Sequence, residues 1–429
     1  MTISVIGAGY VGLVTATLFS SFGNKVFCLE NDPRKLEKLK KGIPTFFEPG
    51  LEEMVKRGLK NNTLVFSDDY TTTIPDSQVV FICVGTPPKN NGESDLKYVY
   101  SCVADITKNL KGYTVIVGKS TLPVGAGDEI YKQILKEKKS GATFDWASNP
   151  EFLREGSAIE DSLHPDRLVI GSESQKAIDI LLELHTPIDG VAIVTDTRSA
   201  ELIKYAANAL LATKVSFANS IANLCEEVDA DVEAVLNGVG YDRRLVRSML
   251  YPGVGYGGSC LPKDVISLLH QSKQVGYTFE LLQAVNSVNM DMPIRFVRKI
   301  KNALESLRGK RVAVLGLSYK PNTDDMREAP SIKIINKLVD EGALVVAYDP
   351  EAMTVARSVL PHIDYAQDLY EAIKGADAIA LVTDWNEFKE LDLERVKSLM
   401  KTPVIIDGRN IYDKEKIRSL GFYYLGVGR

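Results

Sequence analysis

The chain has 429 residues, of which 45 % are hydrophobic and 25 % charged, with a formal net charge of −5. That length predicts about three domains, and the composition excludes disordered, collagenous and coiled-coil chains. The acidic balance excludes a basic nucleic-acid footprint, and no stretch reaches the ~18 apolar residues of a membrane span.

Met1-Thr2-Ile3-Ser4-Val5-Ile6-Gly7 enters a strand pattern at once, without the basic and apolar segments of a signal peptide. Up to about residue 195, short apolar runs alternate with polar helical stretches. The runs are Ile3–Ile6, Val26–Leu29, Val79–Val84, Val115–Val117 and Leu168–Ile170. This texture predicts βαβ units and a mainly parallel sheet.

Gly7-Ala8-Gly9-Tyr10-Val11-Gly12 follows the first run and opens a predicted helix. The first glycine suits a tight turn, the second lets backbone approach a pyrophosphate, and the third lets helix pack on strand. The second run ends in Glu30, 18 residues after Gly12 by position in the chain. A carboxylate there accepts ribose hydroxyls and repels a 2′-phosphate, which favours NAD over NADP. Gly118-Lys119-Ser120-Thr121 ends like a phosphate-binding P-loop, but the upstream position is Tyr113 and Thr114–Val117 reads as strand, so an NTPase is excluded.

Residues from about 196 to 307 carry almost no strand signal. Ala200, Ile203, Ala207, Leu210 and Leu211 follow helical spacing, continued by Ala218, Ala222 and Cys225. Small residues near 200–228 permit close helix packing and predict a homodimer through this segment. Lys204 and Asn208 share one face and could hold an oxyanion; the bland reading is a solvated helix edge. Glu151 and Glu155 have the same spacing, and a carboxylate there could activate water, although surface glutamates are common. A later helical pattern runs through Leu281, Val285, Val288, Val297, Ile300 and Leu304, which Pro293 should kink or interrupt.

Between these helices lies Pro252-Gly253-Val254-Gly255-Tyr256-Gly257-Gly258-Ser259-Cys260, then Leu261-Pro262-Lys263-Asp264. Glycines at this density let backbone approach a ligand closely. Cys260 stands at or just before a helix start, where amide dipoles lower a thiol pKa, and Asp264 is one turn on. Cys28, Cys83, Cys102 and Cys225 read as buried structural thiols. The odd count, with no CxxC, predicts a reduced cytoplasmic protein. The histidines His164, His185, His270 and His362 are dispersed, and no metal site is expected.

From Gly309 the βαβ texture returns, in Val312–Leu315, Leu344–Tyr348, Ala378–Val382 and Val404–Ile406. The expected fold is therefore α/β: two Rossmann-like parallel-sheet domains, 1–196 and 308–429, joined by a central helical segment, 197–307.

The ordered motifs resemble the nucleotide-sugar dehydrogenase family over nearly the whole chain. They are Gly7–Gly12, Glu48-Pro49-Gly50-Leu51, Val84-Gly85-Thr86-Pro87, Ser120–Gly125, Asn149–Gly156, Pro165-Asp166-Arg167, Glu201–Asn208, Gly253–Asp264, Tyr319–Glu328 and Asp407-Gly408-Arg409-Asn410. The resemblance implies a four-electron oxidation of UDP-glucose to UDP-glucuronate by two NAD⁺. Alternatives are another nucleotide sugar (GDP-mannose or a UDP-N-acetylhexosamine), a two-electron β-hydroxyacid dehydrogenase, or a non-catalytic NAD sensor.

It implies Cys260 as nucleophile through a thiohemiacetal and a thioester. Lys204 and Asn208 would stabilise oxyanions, Asp264 and Thr121 would handle water and protons, and Glu151 would assist hydrolysis. Gly7, Gly9, Tyr10, Val11, Gly12, Glu30, Lys35, Thr86, Thr121, Glu155, Lys263 and Arg327 would serve NAD. Substrate contacts would come from Glu151, Phe152, Leu153, Lys204, Asn208, Arg244, Met249, Leu250, Tyr251, Gly253, Gly257, Lys320 and Arg409, with Arg244 reaching across a dimer. The C-terminal domain would bind UDP; its first loop, Gly316-Leu317-Ser318-Tyr319-Lys320, lacks a full GxGxxG, which argues against a second NAD site. The chain departs from the family pattern at Met249-Leu250, at Leu245-Val246, and in having Glu30 where aspartate is usual.

Overall fold

The computed structural model describes all of residues 1–429. The chain divides into two compact units, Met1–Ala207 with His270–Gly276, and Asn208–Leu269 with Tyr277–Arg429.

The first unit is built on eight strands: β1 (Thr2–Ile6), β2 (Lys25–Leu29), β3 (Leu64–Ser67), β4 (Val79–Ile82), β5 (Tyr113–Gly118), β6 (Thr143–Ser148), β7 (Arg167–Gly171) and β8 (Val191–Thr195). Their spatial order is β3-β2-β1-β4-β5-β6-β7-β8. Every neighbouring pair is parallel except β6 with β7. Burial on both faces explains the continuous apolar runs. In β4, Val79 and Phe81 join one core and Val80 and Ile82 the other, as a two-residue period requires. The strand order reverses between β1 and β4, which opens a crevice at their C-terminal ends.

The second unit begins with the rest of the long helix Thr197–Glu227 and includes Val232–Gly240 and Glu280–Leu304. It ends in a parallel six-stranded sheet of β9 (Arg311–Leu315), β10 (Leu344–Tyr348), β11 (Asp364–Tyr365), β12 (Ala378–Leu381), β13 (Val404–Asp407) and β14 (Tyr423–Leu425). The order is β11-β10-β9-β12-β13-β14, again reversing beside the first strand of the set.

Two points differ from expectation. The helix Glu280–Leu304 runs on through Pro293, so the proline does not interrupt it. Proline in a helix interior costs about 3 kcal/mol; the buried Met292, Phe296, Val297, Ile300 and Leu304 on the same helix supply the packing that offsets it. The mainly parallel first sheet also contains β3, β6 and β8, which the apolar runs did not mark. No helix is long and apolar enough to cross a membrane.

Candidate active site

The first glycine loop joins β1 to the helix Tyr10–Ser21, at the reversal point of the sheet. Gly7 has φ +96°, and a Cβ on Gly12 would stand 1.8 Å from the Gly7 carbonyl oxygen. Both glycines are therefore imposed by packing. A Cβ on Gly9 would meet nothing within 4 Å, and Gly9 leads a helix with no side-chain cap and no acidic residue in its first turn. Uncapped amides beside open space are a cradle for a pyrophosphate. Glu30 follows β2, with Oε1 accepting from the Asp32 N–H at 2.9 Å. The glycine loop and Glu30 thus have the chemistry to hold the cofactor: amides for phosphate and a carboxylate for ribose. Lys35 is exposed on the neighbouring helix.

Glu48 ties this loop to a second one. Its buried carboxylate accepts from Tyr10 Oη, from the Gly156 N–H at 2.6 Å and from the Ala158 N–H at 2.7 Å. The Phe46 ring stacks on Tyr10 at 4.2 Å. Burial, then the Glu48 hydrogen bond, pushes the Tyr10 phenol far above its usual range, so it stays a neutral donor. Glu155, directly before Gly156 in sequence, is buried.

At the C-terminal end of β5, Thr86 Oγ1 donates to the Thr121 carbonyl at 3.1 Å. Ser120 Oγ donates to the Val84 carbonyl at 2.7 Å. Glu151 is half-buried, with one oxygen held by the Phe152 and Leu153 N–H groups and the other near Lys119. The Phe152 ring faces two cations, Arg167 at 3.8 Å and Lys204 at 5.1 Å. Lys204 is buried on the long helix. One turn earlier, Glu201 accepts from the Gly125 and Gly127 N–H groups at 2.7 and 2.9 Å, and burial pushes its pKa up to about 7.

In the second unit, Cys260 is exposed and caps the helix Leu261–Gln274, its carbonyl accepting from the Asp264 N–H at 2.9 Å. Ser259 Oγ lies 3.5 Å from its sulfur. The other four cysteines are buried, and all five are free. Burial pushes the thiols of Cys83 and Cys102 up to about 12 and about 11, and that of Cys28 higher still. Asp264 is buried, accepting from Asn208 Nδ2 and from Lys263 Nζ, each at 2.6 Å.

The second glycine loop is pressed against the C-terminal sheet domain. A Cβ on Gly257 would lie 2.4 Å from the Glu328 carbonyl oxygen, and one on Gly253 would lie 3.0 Å from Arg409. The Gly258 N–H donates to the Arg327 carbonyl at 2.8 Å. Arg409 Nε donates to the Val382 carbonyl at 2.7 Å, while Arg327 pairs with Asp325 at 2.7 Å. Lys320 lies over the Tyr319 ring at 5.5 Å. These residues, scattered over the sequence, therefore converge. Leu250 is buried, and Met249 adopts φ +64°. Arg244 stands apart on the surface, bound to Asp242 at 2.6 Å, and Tyr251 is exposed beneath Arg247.

Two asparagines that sequence reasoning missed hold this loop. Asn219 accepts from the Gly253 N–H at 2.7 Å. Asn289 accepts from the Tyr256 N–H at 2.8 Å and donates to its carbonyl at 3.1 Å. Neither has a sequence signature, since an asparagine on a helix looks the same when solvated. The end of β10 differs from that of β2. Asp349 there is buried and accepts from Leu317 N–H, Ser318 N–H and Trp385 Nε1 at 2.7, 3.1 and 3.1 Å. Its acceptor capacity is spent on the protein, so the loop after β9 offers no ribose carboxylate.

A Rossmann sheet with an open glycine cradle, accompanied by an exposed helix-capping thiol, defines an NAD-dependent oxidoreductase. Models of the UDP-glucose/GDP-mannose dehydrogenase family match the chain throughout: the NAD binding domain at residues 1–189, the central domain at 198–291 and the UDP binding domain at 313–414. The chain belongs to that family. It is similar to the UDP-glucose 6-dehydrogenase TuaD of Bacillus subtilis, 47 % identical over 428 residues, covering 100 % of this chain and 93 % of the relative. Among solved structures it resembles a UDP-glucose dehydrogenase from Pyrobaculum islandicum, with TM-score 0.93, 36 % identity and coverage of 100 % and 97 %. It also resembles a UDP-D-ManNAc dehydrogenase from Pyrococcus horikoshii, with TM-score 0.89, 28 % identity and coverage of 100 % and 99 %.

Proposed function

We propose that the chain oxidises the C6 hydroxymethyl group of UDP-glucose to a carboxylate. The observation that carries this reading is Cys260, the one cysteine of five that is exposed, placed at a helix N-terminus one turn from the Asn208–Asp264 pair. A two-electron alcohol dehydrogenase needs no such thiol; an aldehyde carried on to the acid does. The higher identity to relatives named for UDP-glucose favours that sugar over an N-acetylhexosamine.

NAD⁺, when bound in the first glycine cradle, accepts a hydride at each of two oxidations. Between them, Cys260 Sγ adds to the C6 aldehyde and gives a thiohemiacetal. By the family resemblance, Lys204 and Asn208 would supply an ammonium and an amide N–H to the oxygen that becomes negative. The second hydride loss leaves a thioester on Cys260. Water then adds to the acyl carbon, the C–S bond breaks, and the thiolate is regenerated, with Glu151, Thr121 and Asp264 handling water and protons. Gly257, Lys320, Arg409 and the Met249–Gly253 segment would hold sugar and phosphates, and Arg327 and Lys263 would serve NAD.

The functional division is NAD domain 1–196, helical segment 197–307 and UDP domain 308–429. The protein works as a homodimer through the long helix, a reading supported by the exposed Leu210, Phe217 and Leu224 along it and Val228 just past its end. Five free thiols favour the cytoplasm.

The decisive assay is NADH yield per UDP-glucose. Two NADH and UDP-glucuronate are expected, and Cys260→Ser should end acid formation while NAD still binds. No NADH from UDP-glucose, with turnover of GDP-mannose or a UDP-N-acetylhexosamine, overturns the substrate; near-normal turnover of Cys260→Ser overturns the thioester route.

A further inference from the structure

Lys119 belongs to the rejected P-loop decoy and has no part in the chemistry above. It follows β5 directly and is almost entirely buried, its side chain 9 % exposed and that of Glu151 17 %. Its Nζ donates to Asn149 Oδ1 at 3.0 Å and stands 3.3 Å from Glu151 Oε2. Asn149 cannot turn away: its Nδ2 donates to the Val169 carbonyl at 2.8 Å and its N–H to the Gly118 carbonyl at 2.9 Å. Its oxygen is thereby aimed at the lysine. The other oxygen of Glu151 is fixed by the Phe152 and Leu153 N–H groups.

A buried ammonium is costly, and an ion pair of this kind is often no more stabilising than an apolar pair of equal volume. Folding alone gives no reason for a cation at the end of a central strand. The pair does fix the orientation of one carboxylate.

We propose that Lys119 is a positioning residue that holds the Glu151 carboxylate aimed for thioester hydrolysis. The proposal rests on the substrate reading above. In that step the water oxygen bonds to the acyl carbon. The C–S bond breaks with its electron pair leaving on Cys260, and one water proton passes to Glu151 and on to solvent. No electrons are exchanged, so loss of Lys119 should spare both oxidations and slow only hydrolysis.

The test uses the full-length enzyme mixed rapidly with NAD⁺ and UDP-glucose. Lys119→Met should show a burst of two NADH per site, then a steady rate lower by roughly 10²-fold, the scale of general-base effects. Intact-mass measurement should find the acyl group on the protein, and KM should move far less than kcat. Lys119→Arg, keeping charge but not shape, should recover part of the rate and serves alone if the methionine variant does not fold. Adding Lys119→Met to Glu151→Gln should slow the enzyme no further. Turnover within about twofold of wild type, or a slow variant with neither burst nor acyl adduct, overturns the proposal. A wild-type enzyme that releases one NADH per sugar overturns the substrate reading beneath it, before any variant is made.

Discussion

Asn208 Nδ2 donates to Asp264 Oδ2 at 2.6 Å, and both side chains are buried. Lys263 Nζ takes the other oxygen at 2.6 Å. Asp264 is thus an acceptor for two donors, and this decides how Asn208 points. One amide hydrogen is spent on the carboxylate; the second is free for another acceptor.

Asp264→Asn breaks that arrangement. Its amide has one acceptor and one donor end, so with Lys263 claiming the acceptor, Asn208 must flip and present its oxygen. The N–H proposed to meet the developing oxyanion is then lost. The expected result is a kcat lower by roughly 10²-fold with the fold retained, on the scale of removing one oxyanion donor. Steady-state NADH kinetics and a thermal melt check it, and unchanged kcat would remove Asn208 from the oxyanion role.

Glu201 predicts a pH dependence of stability. Its pKa is pushed from 4.5 up to about 7, because burial outweighs the hydrogen bonds from Gly125 and Gly127. The folded state then binds the proton more tightly than the unfolded one. This contribution is complete below about pH 4.5 and is lost as pH rises through about 7, a change of about 3 kcal/mol. His185 works in the opposite sense: burial lowers its pKa to about 4, so stability falls as pH drops from about 6.5 toward 4. Glu201→Gln should remove the alkaline loss and leave the acidic one. Denaturant melts at pH 5 and pH 8 read the difference, and an unaltered pH slope in the variant would rule out Glu201 as its source.

The strands that sequence made legible are those buried on both faces, such as β4 with Val79, Val80, Phe81 and Ile82. β6 reads Thr-Phe-Asp-Trp-Ala-Ser, and its Asp145 is satisfied only by distant partners, Tyr113 at 2.7 Å and Ser174 at 2.6 Å. Periodicity reports burial and carries no trace of such pairings. The site shows the same split. The glycine loops were visible because close packing and local backbone demand glycine at positions such as Gly7, Gly12 and Gly257, and Cys260 was visible only through its place beside one of those loops. Lys119, Glu201, Asn219 and Asn289 act through contacts across the fold, and each looks like an ordinary polar residue in the linear chain.

The glycines of the first loop allow a prediction that separates folding from binding. A Cβ at position 12 would meet a carbonyl oxygen at 1.8 Å, while one at position 9 would meet nothing within 4 Å. Gly12→Ala must displace backbone and should destabilise the protein by about 1–3 kcal/mol. Gly9→Ala should melt close to wild type yet bind NAD at least tenfold more weakly, because its methyl group occupies the space meant for the pyrophosphate. Melting curves with and without NAD distinguish the two, and normal NAD affinity in Gly9→Ala would place the cofactor elsewhere.

The long helix carries the last prediction. Leu210, Phe217 and Leu224 recur every seven residues and are all exposed, with Val228 continuing the same stripe. A seven-residue apolar repeat is the seam of a helix packed against another helix, and an uncovered stripe of this kind marks an association surface. In the proposed homodimer, a second copy of the helix would supply a matching seam under twofold symmetry. Phe217→Glu puts a charge in the middle of it and should convert dimers to monomers by light scattering at micromolar concentration. Arg244 gives the experiment a second readout. It is exposed and bound only to Asp242 beside it, so its expected role in binding the sugar nucleotide would have to be played in the other subunit's site. If so, the Phe217→Glu monomer should lose affinity for UDP-glucose to the extent that Arg244→Ala does in the dimer, and combining the two should cost nothing more. A monomeric variant with unchanged KM would confine Arg244 to the surface of its own subunit.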